Sequence, residues 1–230
     1  MKRFLIVLLI ATSCAPVYVP NARNSPMFQG AGEVQVAAQL SAGTEAQAAV
    51  ALTNHVGVMS NFAYVSRTSD EYDNYIRHSF FEGGIGYFEN ADRISYEVFA
   101  GYGRGKGITY DTYDFGTPDD PLKVTGRYQR FFIQPAIGTN HKRIFNWSAV
   151  MRLSVVDFTD FETGSQSVQI DADPILFFEP AFIGKLNFGS RLFLNFQAGV
   201  SFPRQEIDFD YEPLSLAIGM GLRFGGPQQE

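Results

Sequence analysis

Cysteine, tryptophan and histidine are scarce in this sequence, whose 230 residues include one Cys, one Trp and three His. A single cysteine excludes a disulfide within the chain. The formal net charge of −6 at pH 7 argues against a nucleic-acid partner, because binding to phosphates calls for a basic surface. After residue 11, no apolar run approaches the roughly 20 residues that a membrane-spanning helix needs. These absences exclude a disulfide framework, a nucleic-acid-binding protein and a domain of membrane-spanning helices.

Strict alternation of large apolar and small residues marks the stretch over residues 213–224. A period of two over this length predicts a β-strand between two unlike environments. A soluble barrel points its large apolar residues inward, whereas a membrane barrel points them at lipid and keeps small or polar residues in the lumen. The small face carries one Arg, which favours a transmembrane strand. The large face comprises Leu214, Leu216, Ile218, Met220, Leu222 and Phe224, and the small face comprises Ser215, Ala217, Gly219, Gly221 and Arg223.

Alternating segments follow one another over residues 32–225, and we predict a single all-β domain there. The predicted fold is a closed antiparallel up-and-down transmembrane β-barrel of about ten strands, or eight if the first two alanine-rich segments are not strands. Short turns alternate with long polar loops, which predicts long loops outside the cell and short turns in the periplasm. The segments cover residues 33–40, 45–52, 56–67, 77–88, 93–104, 125–138, 144–158, 170–185, 191–202 and 213–224.

The N-terminal residues have the pattern of a bacterial export signal. Two basic residues precede an apolar stretch at residues 4–11, and the A-T-S-C sequence at residues 11–14 resembles the lipobox of bacterial lipoproteins. We therefore predict a signal segment over residues 1–14 that ends in lipid attachment to Cys14. The alternative is an ordinary signal peptide that is cut after Ala15.

The barrel domain is flanked by two stretches without alternation. Residues 15–31 contain three prolines and are predicted to form an extended linker. Residues 226–230 are predicted to be a tail. If the barrel starts at Glu33, its first strand begins at the rim with the short turns. The linker is then expected to hold the lipid on Cys14 at the periplasmic face.

Five charged residues fall within predicted strands on the face opposite the large apolar residues. A charge at such a position is costly against hydrocarbon and costly without a partner in a dry core. This predicts a polar lumen, unlike the apolar cavity of a soluble lipocalin-like barrel. We interpret the set as a salt-bridged plug that fills the lumen, with a selectivity or proton-relay site as the alternative. The predicted lumen charge network comprises Glu82, Glu97, Arg130, Arg152 and Glu179.

Patterns for catalysis or metal binding are weak. Paired carboxylates can act as general acid and base, but no Ser/His or Asp/His spacing accompanies them. His55 and His141 lie in tight turns and His78 lies near a strand start, which gives no metal cluster. We therefore expect no catalytic residue, no metal site and no cofactor, with an outer-membrane hydrolase as a minor alternative. The long loops are acidic and aromatic; we interpret them as a solvated rim, or as a surface where divalent cations bridge carboxylates.

The lipobox, the C-A-P-V-Y-V-P-N stretch at residues 14–21 and the barrel region resemble small outer-membrane β-barrel proteins of Bacteroidota. This resemblance implies residence in the outer membrane and assembly by the barrel-insertion machinery, without one shared activity. We predict a structural or interaction barrel, or an accessory subunit, with a plugged lumen. The alternatives are a narrow channel or small-solute transporter, and a soluble lipid-binding lipoprotein of the lipocalin type. The expected partners are outer-membrane lipid, the barrel-assembly machinery and an envelope protein, with no nucleic acid.

Overall fold

The computed structural model describes residues 16–69, 74–111, 122–139, 144–163, 166–168, 173–205, 207 and 211–226. Twelve strands form in this part of the chain, each antiparallel to its neighbours. No helix among the described residues is long and apolar enough to cross a membrane. The strands are β1 (Val34–Leu40), β2 (Thr44–Ala51), β3 (Val56–Ser69), β4 (Asn74–Ala91), β5 (Ile94–Asp111), β6 (Leu122–Thr139), β7 (Phe145–Thr163), β8 (Gln166–Val168), β9 (Ile175–Phe188), β10 (Leu192–Val200), β11 (Phe202–Pro203) and β12 (Leu214–Phe224).

Ten of these strands form a closed ring. Successive strands of the ring pair with each other, and β12 pairs with β1 to complete it. The short β8 and β11 pair with β7 and β9, so β9 follows β7 in the ring and β12 follows β10. The prediction of a ten-stranded up-and-down barrel is confirmed. The eight-stranded alternative is wrong, because the alanine-rich β1 and β2 pair along the whole length of β1.

The two rims of the ring differ in their connections. Residues 52–55, 92–93 and 189–191 connect strands at one rim, which we call the short-turn rim. At the opposite, long-loop rim, β5 and β7 continue beyond residues 104 and 158, where the predicted segments stop. Apolar alternation fades there although backbone pairing continues. The segment predicted over residues 170–185 corresponds to β9, which begins at Ile175 and ends at Phe188; residues 170–172 lie outside the described residues.

Large apolar side chains cover the outside of the ring. Phe81, Ile85, Phe131, Ile133 and Ile218 are 47–64% exposed. Neighbouring residues of the opposite parity are mostly buried, as Glu82 and Arg130 are. An apolar exterior around a polar interior is the architecture of an outer-membrane barrel. A soluble lipocalin-like barrel has the reverse arrangement, so this surface argues against that alternative.

Residues 16–31, which we call the lumen segment, run inside the ring. The sequence predicted an extended linker before the barrel domain at residues 15–31. The described part is extended, but it runs through the lumen and not outside the barrel, so its expected position was wrong; residue 15 lies outside the described residues. Tyr18, Arg23 and Phe28 are 0%, 1% and 0% exposed. The physical reason is space, because inward side chains just fill a barrel of about eight strands and leave more room in a ring of ten. Prolines lack the N–H that a sheet ladder needs, so the segment stays extended without joining the wall as a strand.

Glycines in the wall give the lumen segment room to pass. A Cβ built on Gly107 would lie 2.4 Å from the carbonyl oxygen of Val17, and one on Gly126 would lie 2.6 Å from the Val17 side chain. A Cβ on Gly57 would lie 2.5 Å from the ring of Phe28. The backbone of the wall and the lumen segment therefore approach each other more closely than other residue types allow.

Replacing Gly107 by Ala is expected to destabilise the folded barrel. The new methyl group meets a backbone carbonyl that cannot rotate away, and overpacking of this kind typically costs about 1–3 kcal/mol. The measurement is the denaturant midpoint of the refolded protein in detergent. Gly83→Ala is the matched control, because its Cβ would lie 3.7 Å from the nearest atom, the carbonyl oxygen of Met59. Equal midpoints for the two variants would contradict a tight fit between the wall and the lumen segment.

Candidate functional site

The middle of the lumen contains two arginines that share one carboxylate. Glu82 on β4 lies 2.5 Å from Arg130 on β6 and 3.3 Å from Arg152 on β7, measured between side-chain nitrogen and oxygen atoms. The side chains of all three are completely buried. The arginines lie on adjacent strands and point inward, so their charges would repel each other without an anion between them. Glu82 supplies that anion.

Asn21 of the lumen segment completes this group. Its Nδ2 donates a hydrogen bond to Glu82 Oε1 at 3.0 Å. Its Oδ1 accepts hydrogen bonds from Arg130 Nη2 at 2.5 Å and from Arg152 Nη1 at 3.1 Å. One amide therefore contacts all three charged side chains, donating to the carboxylate and accepting from both guanidinium groups. The polar centre of the lumen is built from the wall and the lumen segment together.

Glu179 on β9 joins the same network through a tyrosine of the lumen segment. Tyr18 Oη donates a hydrogen bond to Glu179 at 3.2 Å and accepts one from Arg130 Nη1 at 2.9 Å. Ser154 Oγ also donates to Glu179, at 2.8 Å. The structure thus brings together four of the five residues predicted to form the lumen charge network, namely Glu82, Arg130, Arg152 and Glu179.

The fifth predicted residue, Glu97, lies apart from the other four. It is six residues along β5 from Gly103, the register partner of Glu82, which corresponds to roughly 20 Å of strand. Its carboxylate accepts hydrogen bonds from Ser25 Oγ at 2.6 Å and from the backbone N–H of Met27 at 2.9 Å. Grouping Glu97 with the central charges was therefore wrong, because inward parity alone does not fix the depth at which a side chain lies.

Glu97 and Lys185 hold a turn of the lumen segment between them. Lys185 Nζ donates to the carbonyl oxygens of Ser25 at 2.7 Å and Pro26 at 3.3 Å. The next residue, Met27, has a φ of +51°, which is uncommon for a residue other than glycine. An acceptor on β5 and a donor on β9 therefore fix the segment next to the residue with this uncommon backbone conformation.

Besides Lys185, the sequence analysis missed two charges in the lumen, Arg23 and Glu45. Arg23 of the lumen segment donates to Ser215 Oγ at 2.8 Å and to Ser201 Oγ at 3.0 Å. Glu45 on β2 accepts two hydrogen bonds from the backbone N–H of Ala22, at 2.9 and 3.1 Å. A signal for Arg23 was available, because it is a lone charge within a proline-containing stretch otherwise free of charge.

The buried charges around the lumen segment balance. Among the described residues, three cations in the centre of the lumen, Arg23, Arg130 and Arg152, face three carboxylates, Glu45, Glu82 and Glu179. Nearer the short-turn rim, Glu97 and Lys185 add one charge of each sign. One of the cations belongs to the lumen segment itself. The wall alone would therefore hold one more negative than positive charge in this region.

Apolar layers close the lumen above and below the charges. Towards the long-loop rim, Tyr18 packs against Tyr128 and Phe177, with ring centroids 5.3 and 4.8 Å apart. Towards the short-turn rim, Phe28 packs in a buried cluster with residues that include Phe88. A cavity lined by Arg23, Lys185 and their neighbours has a volume of about 10 Å³, roughly the room for one water molecule.

The lumen segment is also fixed at the short-turn rim. Glu33, directly before β1, accepts a hydrogen bond from the backbone N–H of Gln29 at 2.7 Å and lies 3.1 Å from Arg223 Nε on β12. Burial raises the pKa of the Glu33 carboxyl. This contact joins the segment, the first strand and the last strand at the point where the ring closes.

The remaining candidate positions are the histidines and Cys14, of which the structure describes His55 and His78. Among the residues that the structure describes, no group of three or more His, Cys, Asp and Glu side chains could hold a metal ion. His55 lies beside Glu89 at the surface, and the buried His78 is hydrogen-bonded to Tyr128 Oη at 2.7 Å. Cys14 and His141 lie outside the described residues.

The sequence matches no protein-family model, and no curated protein matches it at a significant level. Among solved structures, the fold is similar to the translocator domain of the autotransporter NalP from Neisseria meningitidis, with a TM-score of 0.46 and 10% sequence identity over 84% of this chain and 86% of that chain. It is also similar to the KdgM porin in complex with disordered oligogalacturonate, with a TM-score of 0.36 and 11% identity over 84% of this chain and 99% of that chain. Both are likenesses of overall shape.

Proposed function

We propose that this chain is an outer-membrane barrel whose lumen is closed by its own N-terminal segment, and that it acts as a structural or interaction subunit. The observation that carries the proposal is the central network. Asn21, Tyr18 and Arg23 of the lumen segment contribute hydrogen bonds or charge that the wall groups need. A lumen that is filled by a segment of the same chain suits a stable barrel that displays its loops. It does not suit a barrel through which solutes pass.

The proposed interaction surfaces are the two rims. The long loops are acidic and aromatic, and we propose that they lie outside the cell with the short turns in the periplasm, following the usual arrangement of loop lengths. The partners that fit this role are outer-membrane lipid and an envelope protein, with the barrel-assembly machinery acting during insertion. The resemblance to Bacteroidota barrels and the absence of enzymatic activity remain predictions.

The full chain is expected to insert into planar bilayers without steady conductance. The reason is that the lumen segment fills the polar middle and two apolar layers close the lumen on either side of it. Single-channel recording of the purified protein is the measurement, with insertion checked independently by flotation with lipid vesicles. Steady, charge-selective current steps from the full chain would contradict the closed-lumen proposal.

A narrow channel that opens on demand is the second candidate, and one observation favours it. Among the described residues, the lumen segment forms one β-bridge with the rest of the chain, between Tyr18 and Tyr211. Most of its other hydrogen bonds to the wall involve side chains, so the segment could leave without breaking the ring. The measurement is the current through bilayers that contain the full chain. Current steps that appear only after a stimulus, such as a voltage step or an added envelope protein, would favour this candidate over the permanent plug.

A further inference from the structure

The lumen segment crosses the barrel from one rim to the other. At one end, the hydroxyl of Thr109, near the long-loop end of β5, donates to the carbonyl oxygen of Pro16 at 3.3 Å. At the other end, the Asn90 side chain, near the short-turn end of β4, donates to the carbonyl oxygen of Phe28 at 2.9 Å. The chain therefore enters the lumen at the long-loop rim and leaves it at the short-turn rim, where β1 begins.

Contacts of neighbouring residues confirm the position of each end of the segment. The backbone N–H of Glu212, in the connection of residues 204–213, donates to the carbonyl oxygen of Tyr18 at 3.1 Å. The backbone N–H of Ala31 donates to Asn54 in the short turn between β2 and β3 at 3.0 Å. Independent contacts on different strands thus agree on the direction of the segment.

We infer that the chain before Pro16 leaves the barrel at the long-loop rim, so that Cys14, and any lipid attached to it, lies on the long-loop side of the membrane. Cys14 is two residues from Pro16, and two extended residues reach at most about 7 Å. The hydrocarbon layer is about 30 Å thick, so this reach does not extend to the opposite face. Any lipid on Cys14 would then enter the leaflet next to the long loops.

This placement reverses the expectation from the sequence. Counting strands puts the start of β1 at the short-turn rim, and that part is correct. A linker outside the barrel would have left the lipid at the same rim. The segment instead turns inward before β1 and returns through the lumen. The inference depends on the direction of the segment and not on whether the lumen conducts, so it stands or falls separately from the proposed function.

The test compares three insertions of one recognition site for a sequence-specific protease. The first lies between Ala15 and Pro16, the second between Thr117 and Pro118 in a long loop, and the third between Gly189 and Ser190 in a short turn. The protease is added to intact cells and, separately, to cells whose outer membrane has been permeabilised. Assembly of each variant is checked by its heat-modifiable migration on gels.

We expect the first and second sites to be cut under the same condition, and the third site only under the other. When Cys14 is labelled with a radioactive fatty acid, cutting at the first site should release the label from the barrel. A first site that shares the accessibility of the third, or that is protected on both sides, would overturn the inference. Loss of assembly on insertion at the first site would also count against it, because a stretch outside the lumen tolerates added residues.

Discussion

A variant that lacks residues 17–28 is expected to conduct ions steadily in planar bilayers, whereas the full chain stays silent. The deletion removes Tyr18, Asn21 and Arg23, which are the parts of the central network that the segment contributes. The wall groups that remain are polar and point into a ring of ten strands, which leaves more room than their side chains fill. The conductance should therefore change from none to discrete steps.

The open lumen of this variant should prefer cations. Without Arg23, the centre of the lumen keeps three carboxylates, Glu45, Glu82 and Glu179, and two arginines, Arg130 and Arg152, while Glu97 and Lys185 nearer the short-turn rim cancel each other. The net charge of these groups changes from zero to −1, and a negative wall raises the local concentration of cations. The reversal potential in a salt gradient measures this preference. An anion-selective pore would contradict the charge assignment.

Two further variants keep this prediction testable. A deletion of residues 112–116 shortens a long loop without touching the described contacts of the lumen segment, and it should remain silent. If the larger deletion does not assemble, Asn21→Ala combined with Arg23→Ala should loosen the segment and give brief openings. An assembled, heat-modifiable deletion variant that stays silent would refute the idea that the lumen segment is what closes the barrel.

Glu82→Ala is expected to cause the largest loss of stability among single substitutions in the lumen. It leaves Arg130 and Arg152 facing each other without their shared carboxylate, at positions with no exposure to water. Breaking a buried ion pair by removing one partner typically costs about 3–5 kcal/mol. The measurement is the free energy of unfolding from denaturant titrations in detergent.

The controls separate charge from hydrogen bonding. Glu82→Gln keeps an acceptor for Asn61, whose Nδ2 donates to Glu82 at 2.7 Å, so it should fall between Glu82→Ala and the unaltered chain. Asp173→Ala removes a carboxylate from an exposed position and should change the free energy of unfolding by close to zero. A Glu82→Ala variant as stable as Asp173→Ala would show that the central ion pairs contribute nothing to folding.

The strands could be predicted from the sequence because alternation is a local signal. The face of β12 that carries Leu216 and Ile218 is exposed in the structure, and the face that carries Ala217 is buried, as the pattern indicated. Parity also assigned Glu82, Arg130, Arg152 and Glu179 to the interior. Each of these conclusions needs only a residue and its near neighbours in the sequence.

The lumen segment could not be predicted in the same way, because its partners are distant along the chain. Asn21 contacts Glu82, Arg130 and Arg152, which lie 61, 109 and 131 residues away. No period in residues 16–31 reflects these contacts. The signal that was available is indirect. Inward positions of β2 and β12 hold residues as small as Ala49, Ala217 and Gly221, so the predicted ring had too little side-chain volume to fill itself.

The pairing of β1 with β12, which closes the ring, bears on the order in which the barrel assembles. The segment that fills the ring precedes β1 in the chain, and Glu33 joins that segment to β12 through Arg223. Once the ring had closed, the residues before β1 would have to be drawn through a lumen packed with charges and aromatic rings. In the unaltered chain, we therefore expect β12 to pair with β1 around a segment that is already in place. Closure of the ring and filling of the lumen are then expected to coincide.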